Sequence, residues 1–533
     1  MEKNDKSTQK GNLLLVLVAM VLGVLVGLMF ADTLHRRPSS SPLQGKMDEV
    51  MKLVESEYVD RVDVDSLSED LVALMLSELD PHSTYLSTRE TELNAEAMKG
   101  HFEGVGLVLR REGDTTYVLQ ISLDGPSEGV GIQPGDLILT VDGDTVVGLP
   151  SDTVVSRLRG PRGSTVEIGV VRHDRHGVPT TPLSFKVRRG VVRQLSLPYF
   201  DMLDDTTGYV MLSAFTATSH IEFQHALREL KARGMRHLIF DMRGNGGGAL
   251  SSAVEIAGEL LPMGSLIVYT QGAHSRRHNV RAHGGGLFAT GRLTVMIDEA
   301  SASATEVVSG ALQDNDRAEI VGRRSFGKGL VQTEFSLKDG SSVHLTTARY
   351  YTPSGRCIQR PYDAGTDEYY REYMQQLIDE TYADSAVAAV HDSTPYYTVG
   401  GRTVYGGGGI IPDRLLTYRR DPTFVYYNRL ASEGLMHRVA FECVKRDAAA
   451  LLQRFPDADA FCRGFQVDEA TLQRVVTLGE QAGIARDRQS LQAQRRLITN
   501  RIKAYIGQSL YGDAVLYRIM LQEDEDLQKT RQL

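Results

Sequence analysis

The chain has 533 residues, 41% apolar and 24% charged, which excludes bulk disorder, a collagen-like fibre and a multi-span membrane protein. At roughly 150 residues per domain, that length predicts about three or four domains. With 59 basic against 68 acidic residues, a formal net charge of −9, it lacks the basic footprint of a nucleic-acid binder. Three scattered cysteines, Cys357, Cys443 and Cys462, exclude a disulfide framework, a cysteine zinc site and a CxxC motif, leaving room for one bridge.

Residues 1–31 read as a membrane anchor or a signal. The run Leu13–Ala31 carries no charge and follows Lys3, Lys6 and Lys10. At about 1.5 Å per residue it rises about 28 Å, enough to cross a hydrocarbon core of about 30 Å. The basic end stays in the cytoplasm, and the rest of the chain is sent across the membrane. An anchor is preferred to a cleaved signal. The run is long for a signal, and Met29 is a poor residue three before a cut after Ala31. Residues 32–46, ending RRPSSSPLQGK, read as a linker.

From Met47 to about Leu79 apolar residues recur at helical spacing, and Asp80-Pro81 ends the pattern. Residues 47–101 are therefore an N-terminal helical segment. Residues 102–190 are short β-like runs cut by Gly-Pro, Pro-Gly and Asp-Gly corners, with one amphipathic helix, Ser151–Leu158. From 191 to 415 strands and helices alternate, which predicts an α/β unit with a central sheet. Residues 416–533 are polar and helical in pattern.

Three turns follow three apolar strands. In the first, Asp298 ends a strand and small residues lead into a helix. Ser303-x-x-Glu306 fits a capping box. Ser303 also fits a nucleophile on a strand-to-helix turn, where the helix dipole favours developing negative charge. In the second, Lys328 lies between two glycines. Burial there would lower its pKa towards that of a general base, and Gln332 could hold its nitrogen. In the third, DMRGNGGG (241–248), flexible glycines can turn backbone N–H groups, with that of Ala304, towards an oxyanion. A phosphate-binding loop competes at Gly322–Lys328, but Gly329 stands where a magnesium-binding Ser or Thr is required.

These motifs resemble those of the C-terminal processing peptidases, also called carboxyl-terminal or tail-specific proteases, which are Ser/Lys-dyad endopeptidases. LDPHSTYL (79–86), FEGVGL (102–107), DMRGNGGG, ASASATE (300–306), FGKGLVQ (326–332) and GGIIPD (408–413) occur in the family's order over about residues 47–415. Ala300 and Thr305 depart from the usual Gly and Ser, and Gly244 and Gly246 from the usual Asn and Pro.

The resemblance implies a crotonase/ClpP-like α/β peptidase core carrying an inserted PDZ domain, with no cofactor and no metal. It implies Ser303 as nucleophile, Lys328 as general base and Gln332 as its orienter. Gly247, Gly248 and Ala304 would supply an oxyanion hole. Gly104, Val105, Gly106 and Leu107 would receive a peptide's C-terminal carboxylate, the peptide adding a strand to the sheet edge. Arg159 is a candidate relay from that domain to the active site. The expected partners are proteins or peptides with free C-termini. The expected place is the bacterial inner membrane with a periplasmic body, or the envelope if the N-terminus is cleaved. A homo-oligomer is compatible with this reading. The rival is a catalytically silent PDZ-bearing adaptor. His82 in LDPHS reads as structural, and His274, His278 and His283 as a polar loop.

Overall fold

The structure, a computed structural model, describes residues 42–172, 180–283, 286–378, 392–417 and 421–533. The expected anchor at 1–31 lies outside these. Among the described residues no helix is long and apolar enough to cross a membrane. The chain divides into two compact units, Met1–Met75 and Leu76–Leu533. The first holds helix Pro42–Glu57, which starts within the expected linker, and most of helix Val64–Ser77.

In the second unit, the central sheet runs in the order Tyr199–Met202, Thr207–Met211, His237–Asp241, Arg292–Ile297, Glu319–Gly322, Arg414–Leu415. Its first pair is antiparallel and the rest are parallel. Parallel strands buried on both faces read as continuous apolar runs, as HLIFD and LTVMI do. Helices Ser219–Ala232, Leu250–Leu260 and Ala304–Asp314 share one apolar core with them. Every residue from Ala304 to Asp314 is buried, so the N-terminus of that helix is held rigidly.

Beside the expected central sheet stands a second, antiparallel sheet that the sequence did not indicate. It joins Thr84–Leu86, Ser342–Tyr351, Leu266–Gln271 and His278–Arg281, with Leu330–Ser336 also on Ser342–Tyr351. The "polar loop" of histidines is thus partly a strand, which His278 opens. LDPHSTYL likewise does more than end a helix. Its Thr84–Leu86 pairs with residues near 343, a partner too distant in sequence to be read locally.

The 102–190 region is entered and left through an antiparallel stem, His101–Gly104 with Gly190–Arg193. Beyond it, strands Leu107–Glu112, Thr115–Ile121, Leu137–Val141, Thr165–Val171 and Leu183–Arg188 follow one another across a sheet, with helix Ser151–Leu158 on its own core. Helices from Phe424 to Met520 build a further core. Among the described residues no disulfide joins any two of the three cysteines, so the bridge left open by the sequence is not made.

Candidate active site

Ser303 stands at the entry to helix Ala304–Asp314 with φ 56°, in the left-handed region that non-glycine residues seldom adopt. A small residue on such a turn presents its side chain clear of the helix, and the first helical N–H groups lie beside it. Ser301, two residues earlier, is fully buried. Its hydroxyl donates to the Met242 carbonyl (2.9 Å) and meets Asp298 (3.1 Å). It is a tie between loops.

Lys328 is partly buried in the loop between strands Glu319–Gly322 and Leu330–Ser336. Burial pushes its pKa down, against the opposing pull of Glu306 and Asp80. The loop is held on both sides. Ser325 Oγ accepts from Ile410 N–H (2.6 Å), and Gly329 N–H donates to Gln359 Oε1 (2.8 Å). The GGIIPD motif therefore braces the lysine loop. Among the described residues no hydrogen bond joins Ser303 Oγ to Lys328 Nζ in this arrangement.

The two loops are locked by a residue that the sequence offered only as a cap. Glu306 is fully buried and accepts four hydrogen bonds. Ser303 N–H and Lys328 N–H both donate to Oε2 at 2.8 Å. Gly327 N–H (2.8 Å) and Ser325 Oγ–H (2.5 Å) donate to Oε1. Four donors on two oxygens suit a carboxylate. Burial nevertheless raises its pKa to about 7, with these hydrogen bonds pulling the other way. Tyr350, also buried, sets its hydroxyl on the carbonyl oxygens of both Ser303 (3.1 Å) and Lys328.

Gln332 follows an irregularity in the pairing of Leu330–Ser336 with Ser342–Tyr351, of the kind that re-aims a side chain. Its amide donates to Thr346 Oγ1 (3.2 Å), leaving its oxygen as an acceptor. Thr346 N–H donates to Ser83 Oγ (3.1 Å), and Ser83 Oγ donates to Asp80 Oδ2 (2.6 Å). LDPHS is thereby tied to the strand pair behind Lys328. His82 contacts Tyr369 (3.1 Å), and burial, helped by Lys328, pushes its pKa down to about 4.

The glycine turn approaches the serine closely. At Gly247, φ 105°, a Cβ would lie 2.9 Å from Ser303 Cβ and from the Ala302 carbonyl oxygen. Asn245, fully buried, shapes the turn by donating to the Leu212 carbonyl (3.0 Å) and accepting from Ala302 N–H (3.0 Å) at its own. Its side-chain oxygen also takes Gly247 N–H (2.9 Å). Gly247 is therefore not free to donate to an oxyanion here. Among the described residues, the N–H groups of Gly248 and Ala304 make no such bond.

At the other expected site, Gly104, Val105 and Gly106 are buried and Leu107 partly so. Gly106 takes φ 72°, and Ser127 Oγ donates to the Val105 carbonyl (2.7 Å). The loop leads into Leu107–Glu112, an edge strand of its sheet. Arg159, just after helix Ser151–Leu158, ion-pairs with Glu96 (2.5 Å) and lies 4.6 Å from the Phe102 ring centroid. Glu96 is on helix Thr88–Lys99, which directly follows Thr84–Leu86 of the second sheet.

Residues 206–367 match the description "Peptidase family S41", residues 92–171 a PDZ domain, and residues 426–512 a family of unknown function, DUF8443. The chain is 33% identical over 322 residues to a carboxy-terminal-processing protease of Bartonella bacilliformis, covering 59% of this chain and 72% of that one. It is 36% identical over 295 residues to the carboxyl-terminal-processing protease of a Synechocystis strain, covering 54% and 67%. Against a solved photosystem II D1 C-terminal processing protease the identity is 31%, with 58% and 82% covered and a TM-score of 0.33.

Proposed function

This chain belongs to the carboxy-terminal-processing proteases of peptidase family S41, and we propose that it cleaves proteins with a Ser303/Lys328 dyad. The observation that carries this is the buried Glu306 carboxylate, which accepts from the backbone N–H of both residues at 2.8 Å. A lysine whose pKa is lowered by burial holds a neutral amine in reach of working pH. Its Nζ takes the Ser303 hydroxyl proton, and Oγ attacks the scissile carbonyl. The oxyanion is met by the N–H groups of Gly248 and Ala304 at a helix N-terminus. The ammonium then protonates the leaving amine, and water, activated by the same Nζ, releases the acyl group. Gln332 orients Nζ through its free amide oxygen.

The PDZ domain (residues 92–171) receives a peptide C-terminus at Gly104–Leu107, with the peptide adding to the edge strand Leu107–Glu112. We take its occupancy to favour the arrangement in which Nζ reaches Oγ, with Arg159 as the relay. The core is of crotonase/ClpP-like type, and residues 1–31 anchor the chain in the inner membrane so that it acts on envelope proteins. Hydrolysis of an unfolded protein by the full chain tests this reading. Ser303→Ala and Lys328→Ala should abolish turnover, and Ser301→Ala should keep it. A silent adaptor would not hydrolyse at all.

A further inference from the structure

The end of the helical tail reaches the roots of the catalytic loops. Asp524 caps helix Glu525–Arg531, accepting from Leu527 N–H (2.9 Å). Leu527, 1% exposed, packs among Tyr199, Tyr209, Ile239 and Met296 of the central sheet, fixing the helix there. The carboxylate of Asp524 faces the guanidinium of Arg243, with contacts of 2.6 and 3.2 Å. Arg243 at the same time grips Asp241 (2.6 Å), itself held by the Tyr209 hydroxyl (2.7 Å). Asp526 Oδ2 accepts from Arg323 Nη1 (2.7 Å), and Arg323 Nε donates to Glu299 (3.0 Å).

The places of these residues in the chain give the contacts their meaning. Arg243 immediately precedes Gly244 of the glycine turn. Arg323 opens the loop that carries Lys328. Glu299 follows Asp298 in the loop that carries Ser303. Two carboxylates from the tail therefore fasten all three loops. The side chains of Arg243, Arg323, Asp524 and Asp526 are between 12 and 20% exposed. Such pairs are screened less than surface ones, and removing one partner leaves a charge poorly solvated.

We propose that Asp524 and Asp526 are positioning residues of the peptidase. The helical tail, outside the region matched by the S41 family, then completes the active site. The proposal rests on the Ser303/Lys328 reading. It is tested by kcat and KM of the full chain on an unfolded protein, beside circular dichroism and thermal unfolding.

D524N/D526N should lose at least tenfold in kcat, with KM within twofold and a native spectrum. D526E, which keeps the charge, should recover a large part of the loss seen in D526N. D459N removes an ion pair with Arg518 elsewhere in the tail and should leave kcat unchanged. If the double variant does not fold, each single variant carries the same expectation at smaller size. A kcat for D524N/D526N within twofold of wild type overturns the clamp, as does an equal loss in D459N. A wild type without turnover contradicts the dyad reading, and the clamp with it. An active wild type beside an equally active D524N/D526N contradicts the clamp alone.

Discussion

Glu306 sets the pH behaviour of the site. Its pKa is raised by burial to about 7, above the usual glutamate value of about 4.3. The folded state therefore holds its proton more tightly, and ionising Glu306 costs stability as pH climbs from about 4.3 to about 7. Lys328, pushed down by burial, loses its proton below the free-lysine value of about 10.4. In the proposed dyad the active form has Glu306 ionised and Lys328 neutral, so both groups should make activity rise with pH. In Glu306→Gln an NH2 group faces backbone or hydroxyl donors, and a buried unmet donor costs about 1–3 kcal/mol. A kcat reduced at least tenfold is expected, with the limb near pH 7 gone and the Lys328 limb kept. A pH–rate profile checks this, and an unchanged limb near 7 would remove Glu306 from the account. The loops that carry Ser303 and Lys328 were legible as turns, because small residues, a Gly-flanked lysine and strand ends mark them. The four-fold role of Glu306 was not, because Ser303-x-x-Glu306 is also the pattern of a helix cap.

At the level of elements, strand Ser342–Tyr351 is the backing of the site. Thr346 meets Gln332 and Ser83, and Tyr350 meets the carbonyls of Ser303 and Lys328. Tyr350→Phe leaves the Lys328 carbonyl short of this donor, at about 1–3 kcal/mol, while the Ser303 carbonyl keeps the N–H groups of Glu306 and Val307. It should lower kcat about tenfold or more with little change in KM, measured on an unfolded protein. A kcat equal to wild type would show that the strand is mere packing. Helix Ala304–Asp314 and strand Glu319–Gly322 lie in the region where the sequence predicts alternating strands and helices, because buried apolar runs bounded by turns are local signals. The split into two sheets was hidden. SLIVYT looks like any parallel strand, and only its pairing with residues 349–351, far along the chain, puts it in the antiparallel sheet. The Gly247 N–H was misassigned for a similar reason, since its bond to Asn245 depends on side-chain direction.

Across the whole molecule, among the described residues, the 102–190 region is held on two sides. Arg159 meets Glu96 on one side. On the other, Phe441 of the helical tail, 1% exposed, packs on Tyr117 and Leu137, and Lys445 Nζ lies 4.1 Å from the Tyr117 ring centroid. Deleting residues 102–190 would bare Phe441, so a point change is the cleaner probe of coupling. Arg159→Ala should leave binding of an apolar C-terminal peptide intact, by calorimetry, and abolish its stimulation of hydrolysis. Equal stimulation of variant and wild type would eliminate Arg159 as the relay. The dyad itself is tested most directly by the intact mass of the chain after reaction with a serine-reactive fluorophosphonate. One adduct is predicted on wild type, mapping to Ser303 and abolishing activity, with none on Lys328→Arg, whose guanidinium stays protonated. An adduct on another serine, or labelling of Lys328→Arg at the wild-type rate, would contradict the Ser303/Lys328 assignment.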